Sequence, residues 1–303
     1  MKIKHLIKNS LLSLSLIFIL LIIFIPNCKH WRCSKIQSDF FRVYYQSYLF
    51  KVNRIKNCQL KETNKIQQNS LLIIGHHYGN PNNNYTSYDT NIDTRLMKLI
   101  KKNQKKIDIV IFTGDIFNIP SEKKWLNLIN FFEDINLDFL IAPGNHDISI
   151  KKDFDQKIFN DLFNYEYPII FTFKNKIIYV RDTINMGWSL KNDEIKLINN
   201  ISQKKDIYII QHHSALHEFR FLTHSSKELK FNQSISKVKK IYQEIDKNTK
   251  LNFIIGDSGM YRSQKRINCK MSNNIRYIVN GLGGYQKDKI IVLANDELFY
   301  FNL

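Results

Sequence analysis

Glycine and proline are scarce, ten and five in 303 residues, which excludes collagen-like, elastic and proline-rich linker architectures. Cysteine is rarer still. Cys28, Cys33, Cys58 and Cys269 form no Cys-x-x-Cys pair, so neither thioredoxin-like chemistry nor cysteine-ligated zinc has support. No repeat of fixed period is visible. Acidic residues are also few, 27 against 45 Lys plus Arg, and the formal charge is +18. The accompanying bias toward Lys, Asn and Ile reads as an AT-rich coding background, which makes the charge a weak guide to partners. What is present is a 44% hydrophobic, 24% charged chain, neither compositionally disordered nor a multi-span membrane protein. It is globular, with room for one large domain or two small ones.

The position of the charge says more than its sum. Lys2, Lys4 and Lys8 stand among residues 1–28 without an acid, and residues 29–70 carry nine basic residues against two acidic ones. Between the lysines and that stretch runs an apolar segment, 11–26, interrupted only by Ser13 and Ser15. It is longer than a signal-peptide core and close to the roughly 20 residues of a membrane span. No small-x-small cleavage site follows, so a retained signal anchor is expected. Asn27 before Cys28 is a poor match for lipidation of that cysteine. A basic segment beside anionic lipid gains about 1 kcal/mol per Lys or Arg. Residues 1–28 therefore read as a basic end plus transmembrane segment, 29–70 as a basic juxtamembrane segment, and 71–303 as the body. Lys29, Arg32 and Lys35 nearly balance the three amino-terminal lysines, and the expected localisation is a single-pass membrane protein with its body outside the cytoplasm. There the four cysteines could form two disulfides. A nucleic-acid partner would need a basic stripe with interleaved aromatics across the body, and none can be defined.

The body alternates short apolar runs with amphipathic ones. Strands are expected at 71–74, 107–112, 139–141, 177–180, 207–210, 253–255, 277–279 and 290–293, and helices near 93–102, 125–135, 154–163, 193–201 and 234–245. The pattern is α/β. Open α/β sheets place ligands at the carboxyl ends of their strands, and five strand ends here are polar. They read Gly75-His76-His77-Tyr78-Gly79, Gly114-Asp115-Ile116-Phe117-Asn118, Gly144-Asn145-His146-Asp147, His212-His213 and Gly256-Asp257-Ser258-Gly259. Five of the nine histidines sit in these clusters, so the imidazoles gather where a site would form. Gly281-Leu282-Gly283-Gly284 lacks the spacing of a nucleotide loop and is followed by a strand, so it reads as a turn. His217 and His224 read as solvated loop residues.

Gly-Asp-x-x-Asn, then Gly-Asn-His-Asp, then a strand ending in His-His resembles the calcineurin-like metallophosphoesterase superfamily over most of residues 71–303. The resemblance implies two packed mixed β-sheets flanked by helices, a four-layer sandwich, with a two-metal centre at the strand ends. It implies that Asp115 bridges the metals, that Asn145 and His212 are ligands with His213 a nearby alternative, and that His146 protonates the leaving oxygen or steadies the transition state. Asp147 would orient His146 through its other ring nitrogen. Such a centre needs a bridging carboxylate between cations about 3.5–4 Å apart.

Two motifs depart from the family. Where it has Asp-x-His, this chain has Gly75-His76-His77-Tyr78; where it has Gly-His-x-His, this chain has Gly256-Asp257-Ser258-Gly259. One metal position would keep Asp115, Asn145, His212 and Asp257, and the other Asp115 with His76 or His77. An imidazole gained where a carboxylate is lost, and the reverse, preserves the ligand charge. The expected function is a membrane-anchored phosphoesterase acting on a phosphomonoester or diester, with one or two divalent ions of Mn, Fe or Zn per chain. The alternative is a catalytically silent binding module of the same fold in cell-envelope or surface-polymer assembly. Substrate choice would reside in loops such as 80–91 and 217–234.

Overall fold

The computed structural model describes residues 56–78, 92–148, 153–202, 206–213, 244–257, 267–283 and 288–303. The apolar segment 11–26, both specificity loops, nearly all of the helix expected at 234–245, and Ser258 and Gly259 lie outside the described residues. Among the described residues no helix is long and apolar enough to cross a membrane.

Thirteen strands are described, in two sheets. Strands β1 (Lys56–Asn57), β2 (Lys61–Thr63), β3 (Ser70–Ile74), β4 (Ile107–Phe112), β5 (Asp138–Ile141), β6 (Ile169–Phe173) and β7 (Lys176–Val180) come first. They are followed by β8 (Ile207–Gln211), β9 (Leu251–Ile255), β10 (Ile267–Ser272), β11 (Ile275–Asn280), β12 (Lys289–Ala294) and β13 (Glu297–Asn302). One sheet runs β1-β10-β11-β9-β8-β7-β6, the other β2-β13-β12-β3-β4-β5. Both are mixed. Parallel cores, β11-β9-β8-β7 and β3-β4-β5, are edged by antiparallel hairpins.

The period of two along each strand sorts the side chains into three apolar layers. Leu71 and Ile73 of β3 meet Ile178, Val180, Ile210 and Ile254 between the sheets. Leu72 and Ile74 face outward, onto helices α1 (Thr94–Asn103), α2 (Glu122–Asp134) and α4 (Asp153–Phe163), through Leu96, Ile100, Trp125, Leu128 and Phe159. Tyr179, Ile209 and Phe253 face the opposite side, under Ile195 and Ile198 of α5 (Asn192–Ser202). The helices start where the sequence provides caps: Asp93 accepts from Arg95 N, and Ser121 from Lys124 N. The result is helix, sheet, sheet, helix, with β3, β8 and β9 buried on both faces.

The folded unit begins before residue 71. Asn53–Leu303 is one compact unit, because β1 pairs with β10 and β2 runs parallel to β13. Cys58 is joined to Cys269 by a disulfide spanning 211 residues of sequence. The carboxyl half of the expected juxtamembrane segment is thus part of both sheets.

Candidate functional site

The carboxyl ends of β3, β4, β5, β8 and β9 converge on one another. Backbone is pressed on backbone here. A Cβ on Gly256 would stand 2.0 Å from Thr113 O, so only glycine lets the end of β9 reach the end of β4. Gly114 has φ +83°, and a Cβ there would lie 2.5 Å from Gly144 N. Two residues with side chains also take left-handed backbone, His76 at φ 41° and Asp115 at φ 53°. Strain of this kind persists only where surrounding structure over-determines it, and it concentrates at functional sites.

Asp115 is the centre of the cluster. Its Oδ2 lies 3.4 Å from His76 Nε2 and its Oδ1 lies 3.4 Å from His212 Nε2, with all three side chains buried. Oδ1 also accepts from His146 N at 3.0 Å. Burial pushes the Asp115 carboxyl up, but the charges of His212, His76 and His146 outweigh it and hold it below its ordinary range. His212 moves the other way: burial lowers it, and Asp115 and Asp257 more than reverse that. His212 Nδ1 is 2.8 Å from Thr113 O, which fixes the proton on Nδ1 and leaves the Nε2 lone pair facing Asp115. That buried Nε2 has no hydrogen-bond partner. Two lone pairs facing each other at 3.4 Å call for a proton or a cation between them.

The other histidines are engaged differently. His77 turns into the helical layer, with Nδ1 3.3 Å from Ile116 O, Nε2 accepting from Asp93 N at 3.4 Å, and its ring against Phe112. Burial holds its pKa below the usual value. His213 stacks on Trp188 and meets Thr183 Oγ1 at 3.2 Å. His146 is half-buried, with Nδ1 2.9 Å from Asn118 O and its ring beside Tyr78. Asn145 opens the one-turn helix α3 (Asn145–Ile148) next to Asp115, and Asp257 is buried beside the His212 backbone, to whose carbonyl its N–H donates at 3.1 Å.

The family model for calcineurin-like phosphoesterases matches residues 76–281, from the first histidine of the cluster to the turn after β11. This chain belongs to the calcineurin-like phosphoesterase family. Among solved structures it is similar to a purple acid phosphatase from yellow lupin (Lupinus luteus) seeds, at 12% identity and a TM-score of 0.45. That match covers 80% of this chain and 55% of the other, so the chain spans about half the length of the lupin protein. No curated protein matches the sequence.

For a calcineurin-like phosphoesterase, Asp147 behaves unlike the expectation from its motif. It does not orient His146, whose Nδ1 is held by the Asn118 carbonyl. Adjacent residues on a helix point about 100° apart, so a carboxylate at i+1 does not face an imidazole at i. Asp147 instead takes three backbone N–H groups: Oδ2 accepts from Asp115 N at 2.7 Å and Gly144 N at 2.9 Å, and Oδ1 from Ile116 N at 2.8 Å. It ties the Gly-Asn-His-Asp turn to the Asp115 turn. Burial and the neighbouring Asp115 charge push its carboxyl up to about 6, against the pull of the Gly144 and Ile116 N–H donors. At pH 7 it is an acceptor on both oxygens, as the three donors require. An Asp147→Asn variant keeps only one such oxygen and leaves at least one buried N–H unmatched. The expected cost is about 1–3 kcal/mol, read as a lowered denaturation midpoint at neutral pH, and an unchanged midpoint would contradict this role.

The donor chemistry of the Asp115 cluster suits a divalent cation: carboxylate, imidazole and amide. Each His–Asp115 separation is also close to what two ligands about 2.1 Å from one cation span. The set is incomplete in one respect. Among the described residues, no group of three or more His, Cys, Asp and Glu side chains is gathered so as to hold a metal. The fit is of two pairs sharing Asp115, with further donors brought near each pair by the strand ends.

Proposed function

We propose that this chain is a metal-dependent phosphoesterase hydrolysing a phosphomonoester or diester, anchored in a membrane by residues 11–26 with its body outside the cytoplasm. The observation that carries the hydrolase reading is the buried Asp115 carboxylate, one oxygen toward His212 and the other toward His76. Asp115 would be shared by both metal positions, with His212, Asn145 and Asp257 on one side and His76 on the other. A divalent cation held there supplies Lewis-acid polarisation of the phosphoryl oxygen and a nucleophile at neutral pH. His146 handles the proton. Its Nδ1–H is spent on the Asn118 carbonyl, which leaves Nε2 to exchange a proton with the leaving oxygen. Asp147 fixes the Asp115 and Asn145 turns relative to each other, so the carboxylate and His146 act from a rigid frame.

The test is hydrolysis of p-nitrophenyl phosphate and its bis ester by the full chain. Activity with Mn, Fe or Zn that disappears in EDTA and returns on adding the metal is expected. Failure with all three metals, in folded protein shown by elemental analysis to carry metal, would favour the silent binding module instead. The absence of a gathered three-donor group among the described residues is what keeps that second reading alive.

A further inference from the structure

The two sheets enclose a second recess at the pole opposite the Asp115 cluster. Its wall is built by residues at the amino ends of the same parallel strands: Asp206 and Tyr208 at the start of β8, Lys250 and Asn252 at β9, and Asn274 and Arg276 at β11. The other sheet closes it with β2 and the start of β13. Five-residue strands separate the poles by roughly 17 Å, so this recess is distinct from the phosphoesterase site. Its volume is about 530 Å³, within the range of cavities that hold small molecules, about 300–1,000 Å³. Such cavities are mostly apolar, whereas this one is lined chiefly by charged groups and amides.

The charges on the wall are sorted. Every acid has a lysine: Glu297 pairs with Lys61 at 2.7 Å, and Asp206 and Asp296 share Lys176 at 3.6 and 3.8 Å. Lys247, Lys250 and Arg276 also line the recess, and no ion pair among the described residues involves them. Arg276 is half-buried and lies within electrostatic reach of the buried Tyr208 hydroxyl, so its guanidinium belongs to the wall of the recess. Asn252 and Asn274 add carboxamides on the same side, each spending an Nδ2 on the backbone, Asn252 on Ile207 O and Asn274 on Thr249 O. Three cations with no ion pair among the described residues, beside fixed amides and a phenol, recognise an anion that also carries hydroxyl groups. The geometry points to a second binding site, at the amino ends of β8, β9 and β11, for a small polyhydroxylated anion of the sugar-phosphate class.

The test is calorimetric titration of the full chain, freed of metal with EDTA, with a hexose 6-phosphate as probe and the uncharged hexose as control. Saturable binding of the phosphate ester, at least about tenfold tighter than the hexose, is expected. It should persist in Asp115→Asn, which disables the phosphoesterase pole, and weaken at least about tenfold in Arg276→Gln. Should Arg276→Gln fold poorly, the exposed pair Lys247→Gln plus Lys250→Gln carries the same expectation. Equal affinity for the uncharged sugar, binding lost in Asp115→Asn, or binding indifferent to both sets of cation variants would overturn the site. So would no heat of binding up to about 10 mM ester. Each outcome is independent of whether the chain hydrolyses anything.

Discussion

Replacing Asp115 with asparagine is expected to remove metal-dependent hydrolysis, by about a thousandfold or more, while leaving the chain folded. The carboxylate serves both His76 and His212, one oxygen each. An amide offers one neutral oxygen, so one side of the pair loses its anionic ligand outright and the other keeps a weaker one. On the proposed function, several kcal/mol of transition-state charge stabilisation would depend on that ligand, and each 1.36 kcal/mol is tenfold in rate. Folding is less exposed. The amide oxygen can still accept from His146 N, and Asp147 binds the Asp115 backbone, not its side chain. Elemental analysis, hydrolysis and the thermal midpoint should be read on the same preparations. Lost metal and activity with a midpoint shifted by only a few degrees is the expected set; full activity in the variant would remove Asp115 from the chemistry.

The same variant has a spectroscopic consequence. His212 is drawn above its ordinary pKa against burial by Asp115 and then Asp257. Without the Asp115 charge, burial gains weight and the metal-free imidazole should titrate at lower pH. Imidazole resonances followed against pH report this directly, whatever the substrate.

How much of this could be read from residues alone depended on what kind of signal each part leaves. The eight strands expected from apolar, β-branched runs all occur, because β3, β8 and β9 are buried on both faces and need unbroken hydrophobicity. Five strands went unread: β1, β2 and β6 are edge strands, and β10 and β13 stand second from an edge. Lys56–Asn57 and Lys61–Thr63 carry no apolar pattern and join their sheets through backbone pairing. Ile267–Ser272 and Glu297–Asn302 are hairpin partners whose composition follows a half-exposed surface. The early start of the folded unit was hidden for that reason, and only the Cys58–Cys269 pairing could have hinted at it.

In the site, residue types were legible and directions were not. His76 and His77 are equivalent as letters. The left-handed backbone at His76 ends the strand alternation, turning one imidazole to Asp115 and the other into the Phe112 layer. The adjacency of His146 and Asp147 suggested a working pair, but helical geometry separates them. The stretch from Arg181 and Asp182 to Ile198 also resembles a segment of the family, but its residues do not announce a buried ion pair. Arg181, just past the end of β7, is wholly buried, and its pairing with Glu194 could not be read from the letters.

The Arg181 cluster should be the costliest place on the seven-stranded sheet to disturb. Arg181 Nε and Nη2 donate to the two oxygens of Glu194 at 2.7 and 2.9 Å, and Nη1 donates to Gln211 Oε1 at 2.9 Å. Nη2 also reaches the carbonyls of Gly187 and Ser189. Glu194 in turn accepts from the Tyr179 hydroxyl and Lys191 N, closing the start of α5. Nothing here is screened by solvent. Removing one partner of a buried pair leaves the other charge uncompensated, at a cost of about 3–5 kcal/mol. Glu194→Ala should therefore lower the denaturation midpoint by on the order of 10 °C. The combination of Arg181→Met with Glu194→Leu should recover part of that loss, since an apolar pair needs no compensation. The strain should also reach the site, because Gln211 Nε2 donates to His213 O at 2.6 Å and the same turn carries His212. Weakened metal affinity in Glu194→Ala, restored with stability in the double variant, is the expected pattern. Additive losses in the double variant would mean that Arg181 and Glu194 are stabilised separately and that the bidentate pair is not what holds β7, α5 and the His212 turn together.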